Sequence, residues 1–208
     1  MKIPKDRRVA EDRIGFINKD KVNEIFDFGT LQEHVARYHM IRQWCSGNVV
    51  DFASGCGYGS WMISMNPDVN HVYGFDKNLK AIQYAKENYP DKNVSFHQSD
   101  HLEFADKFKS LNIESIHTLV SLETIEHIED TSTLPAMAEA CKAENLIISF
   151  PSRKTTHYNP WHCHDFCTND VVNLFPKYSM IQEIVVNEDQ TTLRFMQKKE
   201  KTKPPQYS

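Results

Sequence analysis

A chain of 208 residues with 40% hydrophobic and 11% aromatic residues holds material for one substantial core, which excludes global disorder. A formal net charge of −4 excludes a general electrostatic pull toward nucleic acid or an anionic membrane, leaving at most a local basic groove. No apolar run approaches the roughly 18 residues of a membrane span, and the charged MKIPKDRRVAEDR start is not followed by an apolar signal-peptide core.

Cysteines 45, 56, 141, 163 and 167 are odd in number and mostly scattered, which fits reduced thiols and a cytoplasmic location better than a disulfide framework. There is no internal repeat and no Gly/Ser/Pro-rich linker, so residues 1–208 read as one domain with polar ends, 1–12 and 198–208, that fray. The terminal KKEKTKPPQYS reads as a solvated end rather than a nucleic-acid arm, because it is short and holds an acid and two prolines.

In chain order, the pattern predicts a helix over 30–45, a strand at 48–52 (NVVDF), a helix at 60–65 and a strand at 71–75 (HVYGF). A helix over 78–89 follows, with Leu79, Ile82, Tyr84, Ala85 and Tyr89 as its buried stripe and Lys80, Lys86 and Glu87 facing water. Strands at 94–97, 115–121 and 145–150 alternate with helices at 131–143 and 168–175. MIQEIVVN and TTLRFMQ, separated by Glu188-Asp189-Gln190, read as an antiparallel pair closing one edge. The predicted fold is α/β: a Rossmann-like, seven-stranded, mostly parallel sheet with helices on both faces and an antiparallel C-terminal strand pair. Ligands in such sheets bind outside the carboxyl ends of the strands, where the strand order reverses.

The residues at those ends are informative. Val49-Val50-Asp51-Phe52-Ala53-Ser54-Gly55-Cys56-Gly57-Tyr58-Gly59 runs a buried strand into a loop with glycine at every second position. Glycine allows a tight turn and a close backbone approach, and the following helix start offers free N–H groups. A dinucleotide fingerprint needs a third glycine where Ser60 stands, and Asp51 would repel a pyrophosphate. Asp51 can instead accept hydrogen bonds from a cationic ammonium ligand. Asp76, ending the second strand, can take both ribose hydroxyls of an adenosine. Asp100, after the third, can accept from an adenine amine.

The segment VVDFASGCGYGS resembles the class I methyltransferases that use S-adenosylmethionine (SAM), in particular methyltransferase-domain proteins with the pattern VLD-x-A-C-G-x-G-Y-G-S. The resemblance covers about residues 28–175 and includes GFDKNLKAIQYAKENYP, SLETIEHIED and ISFPSRKTTHYNPWHCHDF. It implies SAM contacts at Tyr38, Asp51, Ala53, Ser54, Gly55, Gly57, Asp76, Lys77, Ser99, Asp100, His101, Ser121 and Leu122, with S-adenosylhomocysteine as product. LQEHVARYHMIRQW resembles the family's lead-in helix over the cofactor pocket, which brings Tyr38, and with it His34 and Arg37, toward cofactor or acceptor. Ser54 stands where cysteine is commoner, Ala53 where the wider class has glycine, and the fourth strand starts Glu114-Ser115-Ile116 in place of Phe-Asp.

Methyl transfer needs an aligned nucleophile and, for a hydroxyl or amine, a proton acceptor. Glu123, Glu126 and His127 follow the fourth strand, and His127 titrates near neutrality when unperturbed. Their Glu-x-x-Glu-His spacing also resembles the metal motif of magnesium-dependent O-methyltransferases, including ubiquinone-pathway enzymes and those acting on small-RNA ends. Magnesium is therefore a candidate cofactor, to which His164 could add a ligand; a pocket-shaping role for the three residues is the plainer alternative. The run from His162 to Cys167 is too tightly spaced for a structural zinc site. After strand five, Tyr158, Trp161, His162 and His164 read as an acceptor wall.

The function expected is methyl transfer to oxygen or nitrogen of a small-molecule acceptor, with nucleic acid disfavoured by the acidic balance. A magnesium-dependent RNA-end 2′-O-methyltransferase and a non-catalytic SAM-binding protein are the alternatives. A nicotinamide-dependent oxidoreductase is disfavoured by Asp51 and Ser60.

Overall fold

The computed structural model describes residues 28–113, 115–186 and 190–198. The ends expected to fray lie outside the described residues, apart from Lys198. That residue is held: its N–H donates to the Lys177 carbonyl and its Nζ to the Pro176 carbonyl, both at 2.9 Å.

Helix α1 (Phe28–Ile41) runs through a 3₁₀ turn (Arg42–Trp44) into β1 (Gly47–Phe52). Then come α2 (Tyr58–Ser64), β2 (Val69–Asp76), α3 (Leu79–Asn88), β3 (Val94–Gln98), α4 (Phe104–Ser110) and β4 (Thr118–Leu122). A second 3₁₀ turn (Ile125–His127), α5 (Thr133–Ala140), β5 (Asn145–Pro151), α6 (Thr168–Leu174) and the hairpin β6 (Tyr178–Val186) and β7 (Gln190–Gln197) complete it. The sheet order is β3-β2-β1-β4-β5-β7-β6. All neighbours up to β5 are parallel, and β7 runs antiparallel to β5 and β6. This is the expected α/β sheet, with the order reversing where β1 pairs β2 on one side and β4 on the other.

The central strands are covered on both faces, so they read as continuous apolar runs. Alternate residues divide by the strand period of two. Val49, Val72, Val120 and Ile147 pack with Tyr38 and Ile41 on the α1 face. Val50, Phe75, Leu119 and Leu146 pack with Phe104 and Phe195 on the other. By the same alternation Asp51 shares a face with Val49 and looks toward α1.

Several local expectations need correction. Leu79 is 50% exposed, because it occupies the first turn of α3; Ala81, Ile82 and Ala85 carry the buried face, with Tyr84 and Tyr89 only partly covered. Asn78 fixes that helix start by accepting from the N–H groups of Lys80 and Ala81. The fourth strand begins at Thr118 rather than at 115, and Gln190 belongs to β7 rather than to the turn. Helix α4 has no counterpart in the predicted elements. Its only buried residues are Phe104 and Phe108, one turn apart, too few for a periodic signal to register.

Candidate cofactor pocket and acceptor-facing cluster

The carboxyl ends of β1 and β4 lie side by side, with Phe52 opposite Ser121. The chain leaves both in a left-handed conformation: Ala53 has φ 62° and Glu123 φ 48°. Such non-glycine strain costs of the order of 1–3 kcal/mol and collects at functional sites. The three loop glycines have different duties. Gly55, at φ +57°, has no atom within 4 Å of where a Cβ would stand. At Gly57 a Cβ would come within 2.6 Å of Ala85 and Phe96, and at Gly59 within 2.1 Å of the Tyr38 ring. Gly55 alone opens onto space a ligand could use; the other two let the loop pack on the protein.

Asp51 is fully buried. Its Oδ2 accepts from the Ser60 hydroxyl at 2.6 Å, and Oδ1 accepts from the Tyr38 hydroxyl at 3.3 Å. Burial raises its pKa to about 7, against the pull of those two donors, and nearby Asp76 adds to the rise. Ser60, read from sequence only as a missing glycine, is thus a direct partner of the acid. Tyr38 meets Tyr58 edge-on at 5.5 Å, and the Tyr58 hydroxyl reaches His34 Nδ1 at 3.3 Å. Burial and Arg37 together depress the His34 pKa to about 4.

Asp76 is 2% exposed and already ties the loops together. Its Oδ2 accepts from Gly55 N–H at 2.9 Å and its Oδ1 from Asn78 N–H at 2.8 Å. Ser99 is buried and donates its N–H to the Asp76 carbonyl. Asp100 Oδ1 accepts from Leu102 and Glu103 N–H at 2.9 Å and shapes the turn after β3. Lys77 is exposed, and half-buried His101 sits within electrostatic reach of Asp130. Ser54 Oγ and Ser121 Oγ are buried with no hydrogen-bond partner among the described residues; Leu122, beside Ser121, is 8% exposed.

The acceptor-facing residues divide into two groups. Glu123 Oε1 accepts from Ser149 Oγ at 2.9 Å, and Glu123 also hydrogen-bonds Gln190. Gln190 in turn accepts from Arg37 Nε at 2.7 Å. Burial raises the Glu123 pKa, and Arg37 opposes the rise. Gln190 and Ser149 belong to β7 and β5, and their distance in sequence gave no signal of this partnership.

Glu126, His127 and His162 form the second group, with one ligand atom of each within 4.8 Å of the others. Glu126 is 1% exposed, and burial and then Glu123 push its pKa well up. His127 Nδ1 lies 3.0 Å from the Trp161 carbonyl, and His127 meets His162 edge-on at 4.6 Å. A carbonyl only accepts, so Nδ1 carries the proton. His162 Nδ1 pairs with Thr155 Oγ1, and burial lowers its pKa to about 4. His164 is elsewhere: its Nε2 faces the Glu129 carbonyl at 3.1 Å and its ring packs on Phe166. Tyr158 is 65% exposed.

Residues 46–194 match the family model described as a methyltransferase domain. The chain belongs to that family. It is a methyltransferase with S-adenosylmethionine as cofactor. The pocket fits this cofactor: the opening at Gly55, buried Asp51, and the unpartnered hydroxyls of Ser54 and Ser121 leave polar groups for a ligand to meet. The fold resembles the N-methyltransferase NodS from Bradyrhizobium japonicum WM9 in complex with S-adenosylhomocysteine, at TM-score 0.64 and 15% identity, over 86% of this chain and 93% of that one. It also resembles the methyltransferase domain of bacterial CtHen1-C, at TM-score 0.60 and 18% identity, over 80% and 97%. A chain of the Haloferax volcanii Trm112 methyltransferase activator complex aligns at TM-score 0.64 and 14% identity, over 91% and 98%. No curated protein matches the sequence. Among the described residues no helix is long and apolar enough to cross a membrane.

Proposed function

We propose that this chain moves a methyl group from SAM to an oxygen or nitrogen of a small-molecule acceptor. The single observation that carries the cofactor half is Asp51, fully buried at the end of β1 and held by Ser60 and Tyr38 beside the Gly55 opening. A buried carboxylate there is costly without a cationic partner, and the ammonium end of the cofactor supplies one. Asp76 would receive the ribose and Asp100, with Ser99, the adenine edge. When bound, SAM supplies a methyl group on a positively charged sulfur, already primed for in-line displacement.

The residues of this chain then have three tasks. Tyr38 closes the pocket from α1 and keeps water from Asp51, which strengthens the charge pairing. Glu123 is held by Ser149, Gln190 and Arg37, so the loop after β4 keeps a fixed course. Glu126 and His127, with Trp161 and His162 opposite, face the acceptor and polarise its O–H or N–H. Five free cysteines support a reducing compartment such as the cytoplasm. Labelled SAM supplied with a pool of small metabolites, and separately with RNA oligonucleotides, tests the reading. Label in a small molecule is the expected result; label only in RNA, or in neither, contradicts it.

A further inference from the structure

We propose that the groove over the outer edge of β3 binds a small aromatic phosphate monoester, at a site separate from the cofactor pocket. A cavity of about 650 Å³ lies along β3, the edge strand of the sheet. That volume suits a small ligand. Lys86 and Tyr89 line it from the end of α3, Lys92 from the turn that follows, and Ser95, Phe96 and His97 from the strand. The turn stands at the amino end of β3, whereas Ser99 and Asp100 follow its carboxyl end on the cofactor side.

The charge around this groove is uncompensated. Lys107 of α4 and Lys86 of α3 both act on His97, so cations from two helices converge there beside Lys92. None of the three lysines is in an ion pair among the described residues. The lining acid, Asp91, is occupied with its own turn: Oδ1 accepts from Asn93 N–H at 2.8 Å, and its charge acts on His71. The groove is therefore locally basic in a chain of net charge −4. A phosphate monoester brings about −1.5 to −2 charge at pH 7 and three acceptor oxygens to match it.

The strand presents uncharged polar groups below the lysines. Ser95 Oγ lies 2.9 Å from His71 Nε2 and 3.0 Å from His97 Nε2. Burial, then Lys107, Lys86 and His71, lower the His97 pKa to about 4, so its imidazole is neutral at pH 7. Ser99 N–H donates to the Asp76 carbonyl; Ser95 and His97, of the same parity, turn their N–H groups to β2, and Phe96 N–H points to the open edge. Outward N–H groups at a sheet edge suit an oxyanion. Tyr89 supplies the apolar wall, its ring steadied by Trp61 at 5.8 Å, so an aromatic body can pack beside the phosphate.

The test is calorimetry of the full chain with phenyl phosphate, beside phenol and a 5′-phosphorylated RNA oligonucleotide, with the His97 imidazole followed by NMR. Saturable binding of phenyl phosphate is expected, with phenol roughly tenfold weaker or worse because it lacks the charged acceptors. Lys86→Ala and Lys92→Ala, both at exposed positions, should each weaken phenyl phosphate roughly fivefold or more while leaving SAM affinity unchanged. The bound anion should raise the His97 pKa, against the lowering by Lys86, Lys107 and His71. Asp51→Asn should leave phenyl phosphate binding as it is. No saturable binding, equal binding of phenol, binding unchanged in both lysine variants or an unmoved His97 pKa overturns the proposal. Loss in Asp51→Asn overturns it as well, by placing the ligand in the cofactor pocket, and so does binding of the oligonucleotide without phenyl phosphate.

Discussion

Tyr38 and Asp51 are joined across the cofactor side of the sheet. The phenol donates to the carboxylate at 3.3 Å, while its ring fills the space that a side chain at Gly59 would require. The pair couples α1 to the end of β1, and the glycine loop is shaped around it.

Tyr38→Phe keeps the ring and removes the donor. A hydrogen bond to a charged group contributes about 1.5–3 kcal/mol, so SAM affinity measured at pH 8 should fall roughly tenfold to a hundredfold. Affinity within twofold of wild type would place Tyr38 outside the cofactor's influence.

The pKa of Asp51, raised to about 7, gives a signed pH dependence. A cation binds the ionised carboxylate and a proton competes with it, so SAM affinity should fall by up to tenfold per unit as pH drops below about 7. Stability without ligand runs the other way. A carboxyl whose folded pKa is raised is at its most favourable below its unfolded pKa, and that advantage is lost as pH climbs from about 4 to about 7. Asp51→Asn should flatten both profiles, binding SAM poorly while melting higher than wild type at pH 8. Calorimetry and thermal melts from pH 5 to 8 check both.

The loop glycines should separate in the same way. Gly55→Ala meets no neighbour and carries only the left-handed backbone cost of about 1–2 kcal/mol, so the protein should fold and lose cofactor affinity out of proportion. Gly59→Ala drives a methyl group into the Tyr38 ring and should cost about 1–3 kcal/mol or more in denaturant unfolding. An unchanged SAM affinity in Gly55→Ala would contradict this division.

The sheet and the acids at its rim are legible because both are local signals: short apolar runs, with Asp51 and Asp76 in the last two residues of β1 and β2 and Asp100 two residues past β3. Pairings between distant residues left no such mark. Ser60 is nine residues from Asp51 and counted only as a broken glycine pattern, although it is the acid's shortest contact. Gln190 lies 153 residues from Arg37, and only the closing of β7 against β5 brings it to Glu123. His162 and His164 are indistinguishable as letters two apart; the loop's course sends one toward Glu126 and the other toward Glu129. Helix α4 carries no such signal, because two phenylalanines make no period.

Arg37 is 8% exposed and lies within electrostatic reach of both Glu123 and Glu126. Arg37→Gln leaves two buried carboxyls uncompensated, a loss of about 3–5 kcal/mol when they ionise. Burial raises both carboxyls' pKa values, so in denaturant unfolding the loss should shrink as falling pH protonates them. A loss independent of pH would mean that Arg37 acts by packing alone.

The most direct test of the cofactor assignment is calorimetry of the full chain against SAM, S-adenosylhomocysteine and NAD, with Asp51→Asn as control. Saturable binding of SAM and its demethylated product, none of NAD, and a loss of at least tenfold in SAM affinity in the variant are predicted. Tight NAD binding without SAM binding would contradict the account.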